Sequence, residues 1–263
     1  MKTDHLKYFN LEFNTGNNNL PHTAYFHFII DGKSTYEITC CITSRYAGDM
    51  ALQSERSKLY DSLGIHDRKI YSVRQIHSKI VYAVDADNPP GGDGDGMVSS
   101  DGNVVLSVYV ADCLPVYLYD TQSRAFGIVH SGWKGTGIVT VAVKMMKEKW
   151  QCNPENIAAI LGPCIDSCCY NVDKERYDNF EMKFSAESVK KTLSTDGNIS
   201  GQISPEIKYF LDLKKANIGL LQKAGIRNIA VCDNCTFTDD RLASYRMEGP
   251  ENFTHMAAII GKF

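Results

Sequence analysis

Polar and apolar positions alternate across residues 22–43, where Tyr25, Phe26, Phe28 and Ile30, then Tyr36 and Ile38, flank an Asp31-Gly32 pair. An Asp-Gly step between two such runs predicts a β-hairpin. Over residues 48–63 the apolar Met50, Leu52, Leu59 and Leu63 recur at near-helical spacing, and Gly64 provides a stop, so one amphipathic helix is expected. Strand-like runs follow at 69–76, 104–110 and 125–129, the first two separated by a Gly/Asp/Pro-rich loop at 88–96. A helix is predicted over 136–150, a strand over 157–161, a helix over 172–184 and a polar insertion over 187–202. Ser204-Pro205-Glu206 reads as the start of a long helix reaching Ala224, with Pro205 at its first position and Gly225 at its stop. Strands at 229–232 and 256–260 close the chain. Helices and strands interleave without a Pro- or Ser-rich linker, which points to one α/β domain across 1–263.

Composition agrees with a folded chain. Of 263 residues, 43% are hydrophobic and 22% charged, enough apolar surface for a sizeable core. The 28 Lys and Arg against 31 Asp and Glu leave a formal charge of −3, so no nucleic-acid partner is expected and any anion site must be local. Apolar runs fall short of the ~20 residues that cross a bilayer. The opening MKTDHLKYFNLEFN lacks the apolar core of a secretory signal, so a cytoplasmic, membrane-free protein is expected. Nine cysteines, an odd number, then suit a reducing compartment in which thiols are buried, ligating or catalytic.

Three segments place a metal-competent side chain at or just past a predicted strand end: Gln75-Ile76-His77-Ser78, Ala111-Asp112-Cys113-Leu114-Pro115, and Val129-His130-Ser131-Gly132-Trp133-Lys134-Gly135. Loops at strand ends gather into ligand crevices in α/β folds, so His77, Cys113 and His130 are candidates to converge. Two imidazoles and a thiolate suit zinc and leave a fourth position open for chemistry. Spacing alone leaves the rival reading open, in which these are two ordinary histidines and a buried small thiol. Asp112, beside Cys113, is a candidate acid/base or a group supporting the ligands. Residues 131–137 lead into a predicted helix whose N-terminal amides, with Lys134, would attract phosphate.

The ordered set Ser44-Arg45, Gln75-x-His77, Ala111 to Pro115, His130 to Gly135, Leu161-Gly162-Pro163, Tyr170-x-Val172, Leu211-Asp212-Leu213, Cys235-Thr236 and Ser244-Tyr245-Arg246 resembles the YfiH-like family, first named multicopper polyphenol oxidase or laccase-domain proteins, over residues 38–260. The resemblance implies a layered α/β/β/α fold with mixed sheets and zinc on His77, Cys113 and His130. It also implies purine nucleoside phosphorylase activity, with adenosine deaminase and methylthioadenosine phosphorylase activity at the same site, so that a purine nucleoside and phosphate are the expected small-molecule partners. Arg45, Lys134 and Arg246 become candidate anion contacts, and Tyr245 with Arg246 would flank the substrate by stacking and charge. Departures from the family pattern are Ser131 for Ala, Lys134 for Arg, Met247 for a second Arg, and Thr254-His255 for Gly-Arg.

Alternative readings are a peptidoglycan-precursor editing amidase, a copper-dependent polyphenol oxidase, and a zinc-stabilised module without turnover. Copper is a plausible rival occupant of a His₂Cys site. Yet seven histidines without a His-x-His pair do not provide the trinuclear cluster of a multicopper oxidase. The base-deaminase signature His-x-Glu with Pro-Cys-x-x-Cys is missing too, since Cys168 follows Pro163-Cys164 one residue too late. Cys232-x-x-Cys235 with Cys164 and Cys168 is a poor match to a structural Cys₄ site, and the 91–96 Gly/Asp run lacks a Walker Lys or an EF-hand Glu.

Overall fold

The computed structural model describes residues 6–14, 22–30, 32–194 and 206–263. Its frame is two mixed sheets laid face to face. The large sheet runs in the order Leu6–Phe9, Asn228–Cys232, Ile157–Leu161, Leu114–Asp120, Phe126–Ser131, Gly96–Ser99, Val81–Ala83. The small sheet runs Thr23–Phe26, Thr39–Thr43, Met256–Gly261, Val104–Val110, Lys69–Tyr71.

Side-chain alternation explains the layering. In Leu114–Asp120 every residue is buried: Val116 and Leu118 pack towards helices, whereas Tyr117 and Tyr119 point into the space between the sheets. In the small sheet Leu106, Ile260 and Ile42 meet them there, while Val105, Ile259 and Cys41 face the opposite side. That outer side is covered by helix α1 (Gln53–Ser62) through Leu59, with Met50 and Ile65. The outer side of the large sheet is covered by α2 (Ile138–Trp150), α3 (Lys174–Lys183) and α4 (Leu213–Lys223). The result is the α/β/β/α arrangement expected from the resemblance. Across the middle, the Tyr117 hydroxyl donates to the Cys41 carbonyl at 3.0 Å and its ring meets Phe26 edge-on. Among the described residues no helix is long and apolar enough to cross a membrane, and all nine cysteines are free thiols.

Several boundaries differ from the sequence reading. The predicted hairpin pairs Thr23–Phe26 with Thr39–Thr43 and has a smaller pair, Ile29–Ile30 with Lys33–Ser34, inside it; Asp31 lies outside the described residues. The expected strand over 69–76 ends at Tyr71. The predicted long helix from 204 is instead a strand, Glu206–Leu211, followed by α4, whose true cap is Asp212, accepting from Lys215 N at 2.8 Å; Ser204 and Pro205 lie outside the described residues. That strand pairs with Val189–Ser194, which falls in the predicted polar insertion, and with Asn171–Val172. The central Leu114–Asp120 strand is an element that the sequence reading does not name, and it carries Pro115, which has no N–H for a ladder. Its edge is accommodated locally: Gly162 donates to the Pro115 carbonyl at 2.9 Å, and a Cβ at Gly162 would lie 2.8 Å from the Pro115 ring.

Leu118 is fully buried on the helix-facing side of that strand. Leu118→Ala is expected to destabilise the chain by about 2–5 kcal/mol in urea titration, against less than about 0.5 kcal/mol for Lys144→Ala on the exposed face of α2.

Candidate active site

One end of the large sheet collects the candidate residues, and a buried carboxylate organises them. Asp95, with no exposed surface, stands just before the Gly96–Ser99 strand. Its side chain accepts the backbone N–H groups of Ile76, His77 and Ser78 at 3.3, 3.0 and 2.6 Å and the Ser78 hydroxyl at 2.7 Å. The same carboxylate meets His130 Nδ1 at 2.8 Å, while His130 N donates to the Asp95 carbonyl at 2.7 Å. Three consecutive N–H groups on one carboxylate force a tight loop, and His77 adopts φ 58° within it. Gln75 fixes the other end of the loop: its amide donates to Tyr109 O at 2.8 Å and accepts from Tyr109 N at 2.7 Å, imitating a strand partner.

Cys113 directly precedes the Leu114–Asp120 strand, whose Pro115 stands opposite His130 in register. Asp112 before it has φ 81°, and its carboxylate accepts the hydroxyls of Thr236 and Ser244 at 2.6 and 2.7 Å and Arg246 N at 2.7 Å. Those bonds turn the backbone so that Cys113 faces the histidines. Its sulfur is 3.8 Å from His77 Nε2, the two imidazole centroids are 4.9 Å apart, and the donor atoms of His77, Cys113 and His130 all lie within 4.8 Å of one another.

The chemistry of this donor set fits a divalent ion. Metal–nitrogen bonds of about 2.0–2.1 Å and metal–sulfur bonds of about 2.3 Å around a tetrahedral centre space the donors by roughly 3.5 Å. Asp95 occupies His130 Nδ1, leaving Nε2 for an ion, the usual carboxylate–histidine–metal relay. His130 is buried, Cys113 half-buried and His77 exposed, so the triangle opens on one side. Gly132 makes this approach possible, since a Cβ there would lie 2.8 Å from Cys113 Sγ and 3.0 Å from His77 Cδ2.

Electrostatics bias Asp95, Cys113 and His130 before any ion binds. Burial raises the Asp95 carboxyl, but hydrogen bonds from His130 and Ser78 outweigh it and hold it at about 2. Burial also raises the Cys113 thiol, yet the His130 charge and hydrogen bonds from both histidines bring it down to about 6. His130 is lowered by burial but raised to about 9 by the Cys113 thiolate and Asp95. Near neutrality the pair is thiolate and imidazolium.

The triangle lies in the wall of a cavity of about 880 Å³, within the usual range for small-molecule sites. Rings of Tyr109, Trp133, Tyr170, Tyr245 and Phe253 line it, together with Arg56, Arg74, Arg176 and Arg246. Of the sequence candidates, His77, Cys113, His130, Asp112, Tyr245 and Arg246 all reach this cavity. Arg246 lies 5.3 Å over the Tyr170 ring and donates through Nη1 to Asn171 O at 2.8 Å. Arg45 does not line the cavity and pairs with Glu248 at 3.1 Å, and exposed Lys134 lies 5.5 Å over Trp133, also outside the lining. The start of α2 is likewise turned away from the cavity. It packs behind the His77 loop, where a Cβ at Gly135 would lie 2.9 Å from Ser78 O and one at Gly137 3.1 Å from Lys79 Nζ. Arg176, 4.3 Å over Trp133 from α3, and Arg56, 5.3 Å over Tyr109 from α1, were missed because an arginine on a charged helix carries no sequence signal. His255, the departure from Gly-Arg, also lines the cavity.

The profile of the family described as multi-copper polyphenol oxidoreductase laccase matches residues 33–262. The chain belongs to that family. A purine nucleoside phosphorylase of Borreliella burgdorferi is 33% identical over 181 residues, 68% of this chain and 74% of its own. One of Corynebacterium glutamicum is 30% identical over 211 residues, covering 78% and 80%. The crystal structure of YfiH from Bacillus licheniformis superposes with a TM-score of 0.71 at 27% identity, over 86% of this chain and 93% of that one. YlmD of Geobacillus stearothermophilus reaches a TM-score of 0.76 over 95% and 98%, a likeness of fold at 23% identity. Among the described residues of this laccase-family chain, the close groups of potential metal donors are the His77–Cys113–His130 triangle and a trio of cysteines, neither of them a histidine cluster for several coppers.

Two outcomes follow from the geometry. Asp95 contributes to the acid limb of stability: its carboxyl is depressed from 3.8 to about 2, so its contribution is complete above about pH 4 and is lost as pH falls towards 2. Cys113 and His130 shift in opposite directions around one proton, and their linkages cancel between about pH 6.5 and 9. In urea titrations of metal-free protein, Asp95→Asn is expected to cost about 3 kcal/mol at pH 7 and to flatten the loss between pH 4 and 2. Gly132→Ala is expected to abolish zinc uptake by the triangle, measured by equilibrium dialysis, while the far-ultraviolet circular dichroism stays native.

Proposed function

We propose that the chain is a zinc-dependent purine nucleoside phosphorylase, cleaving adenosine, inosine, guanosine or methylthioadenosine with inorganic phosphate. The observation that carries the reading is the convergence of His77, Cys113 and His130 on the wall of a cavity that also presents aromatic rings and arginines. The names of the relatives from Borreliella burgdorferi and Corynebacterium glutamicum support it.

Phosphorolysis joins a phosphate oxygen to the anomeric carbon of the ribose while the glycosidic bond breaks and its electron pair leaves with the purine. The reaction needs a positioned anion and a fixed place for the base. Trp133, Tyr170, Tyr245 and Phe253 offer flat apolar faces for the purine. Arg176 and Arg246 offer guanidinium donors for phosphate, each already stacked on a ring and therefore oriented before substrate arrives. Asp112 serves as a positioning residue: with three donors on its carboxylate, it holds the Arg246 backbone in place. When bound, zinc supplies a fixed positive charge and Lewis-acid polarisation at the His77–Cys113–His130 corner. Hydrolytic deamination of adenosine at that corner is the companion activity of this reading.

Purified protein supplied with zinc is expected to release free base and ribose 1-phosphate from inosine and adenosine only when phosphate is present. Chromatography of the products also reports any inosine formed from adenosine. Arg246→Ala is expected to raise the KM for phosphate by about 10-fold or more, and Cys113→Ser to abolish turnover. Base release that ignores phosphate, or no release at all, overturns the reading. Because thiol and imidazolium must shed protons to ligate, zinc affinity measured against a competing chelator is expected to rise from pH 6 to pH 9.

A further inference from the structure

A cluster of three sulfurs lies outside the site described above. Cys168 and Cys169 sit in the turn that follows the Ile157–Leu161 strand, and Cys235 follows Asn228–Cys232, the adjacent parallel strand. The three sulfurs lie within 4.8 Å of one another, with those of Cys168 and Cys169 3.0 Å apart. The two segments are joined by backbone: Cys164 and Cys235 form an isolated parallel bridge, and Thr236 N donates to Cys164 O at 3.1 Å. Asp166 N donates to Cys235 Sγ at 3.3 Å, and its carbonyl accepts from Cys169 N at 2.9 Å, closing the turn over the cluster. Cys235 is buried, Cys169 half-buried and Cys168 exposed, so the sulfurs are reached from solvent on one side.

We propose that Cys168, Cys169 and Cys235 form a three-coordinate thiolate site for monovalent copper. Its donors are all soft sulfur, the set that selects Cu(I), zinc and iron–sulfur clusters. Structural zinc takes four protein ligands, and among the described residues this group has three. Asp166 in the same turn is committed to Lys214 at 2.7 Å, the Cys232 thiol is turned to Asn234 Oδ1 at 3.4 Å, and the Cys164 sulfur is outside the group. The N–H of Asp166 pointing at the Cys235 sulfur stabilises charge on a ligating thiolate, as outer hydrogen bonds do in metal centres. Binding replaces thiol protons by Cu(I), releases them to solvent and changes no oxidation state. Hard cations do not displace such protons. Cys235 is adjacent to Thr236, whose hydroxyl holds Asp112 next to Cys113, so an ion on the sulfurs braces the segment behind the candidate active site without touching its ligands.

The test uses the full chain, reduced and handled without oxygen, titrated with the Cu(I)–bicinchoninate complex. Cys113→Ser removes the other thiolate donor set and is expected to retain one tightly bound Cu(I), with thiolate-to-copper charge-transfer absorption and three sulfur neighbours by X-ray absorption. Adding Cys168→Ser and Cys169→Ser, both at the solvent side of the cluster, is expected to weaken that ion by more than about 100-fold, because even outer partners are worth roughly 10–100-fold. Circular dichroism and melting of the copper-free variants check that the fold survives. Copper retained by the triple variant overturns the proposal, as does a Cys113→Ser chain that binds none. Nitrogen or oxygen neighbours at the retained ion overturn it too, and so does a mass two hydrogens low that reveals a disulfide in the reduced preparation.

Discussion

The candidate active site rests on the desolvated carboxylate of Asp95. A bare carboxylate without exposed surface is costly to bury, and the chain offsets that cost by bringing three backbone N–H groups, a hydroxyl and an imidazole onto it. Those partners come from two places far apart in sequence, the loop after the small sheet and the end of a central strand of the large one. Satisfying one negative charge therefore brings His77 to His130. The third corner has its own carboxylate: Asp112 gathers Thr236, Ser244 and Arg246 and thereby aims Cys113. Two acids outside the triangle set the geometry of the three candidate donors.

Above this sits the layered core. Because the central strands of both sheets are buried on both faces, their ends are fixed by packing on either side. Rigid strand ends hold donors to the tolerance a metal centre needs, which loops on a one-sided sheet would not. Two of the four arginines come from the outer layers, Arg56 from α1 and Arg176 from α3, so the cavity is a meeting of both helical faces with the sheet ends.

Much of this was legible in the residues. The strands at 104–110, 157–161, 229–232 and 256–260 show as continuous apolar runs, and the structure has strands there, because strands buried on both faces lose their polar alternation. Three short motifs at strand ends, read with the family resemblance, pointed to the convergence of His77, Cys113 and His130. Where the reading failed, a local signal competed with a tertiary one. Ser204-Pro205-Glu206 has the form of a helix start, but strand pairing with Val189–Ser194 claimed the residues that follow and left Asp212 to cap the helix. The central strand Leu114–Asp120 went unnamed. Lys134 and the helix after it looked like an anion site, yet the tight turn that Gly132 and Gly135 allow directs that helix behind the His77 loop, and Arg176 and Arg246 face the cavity in its place. Asp95 matches an aspartate of the family pattern, which suggests support for the site, but nothing in a linear chain reveals how many N–H groups converge on one side chain.

The unequal exposure of the three donors has a kinetic consequence. His130 lies buried in a strand, Cys113 directly precedes one, and His77 is exposed on the loop that Asp95 and Gln75 hold. An ion bound by the three would enter and leave past the His77 corner, so changes around that corner would alter its rate of exchange while the buried contacts of His130 stay as they are.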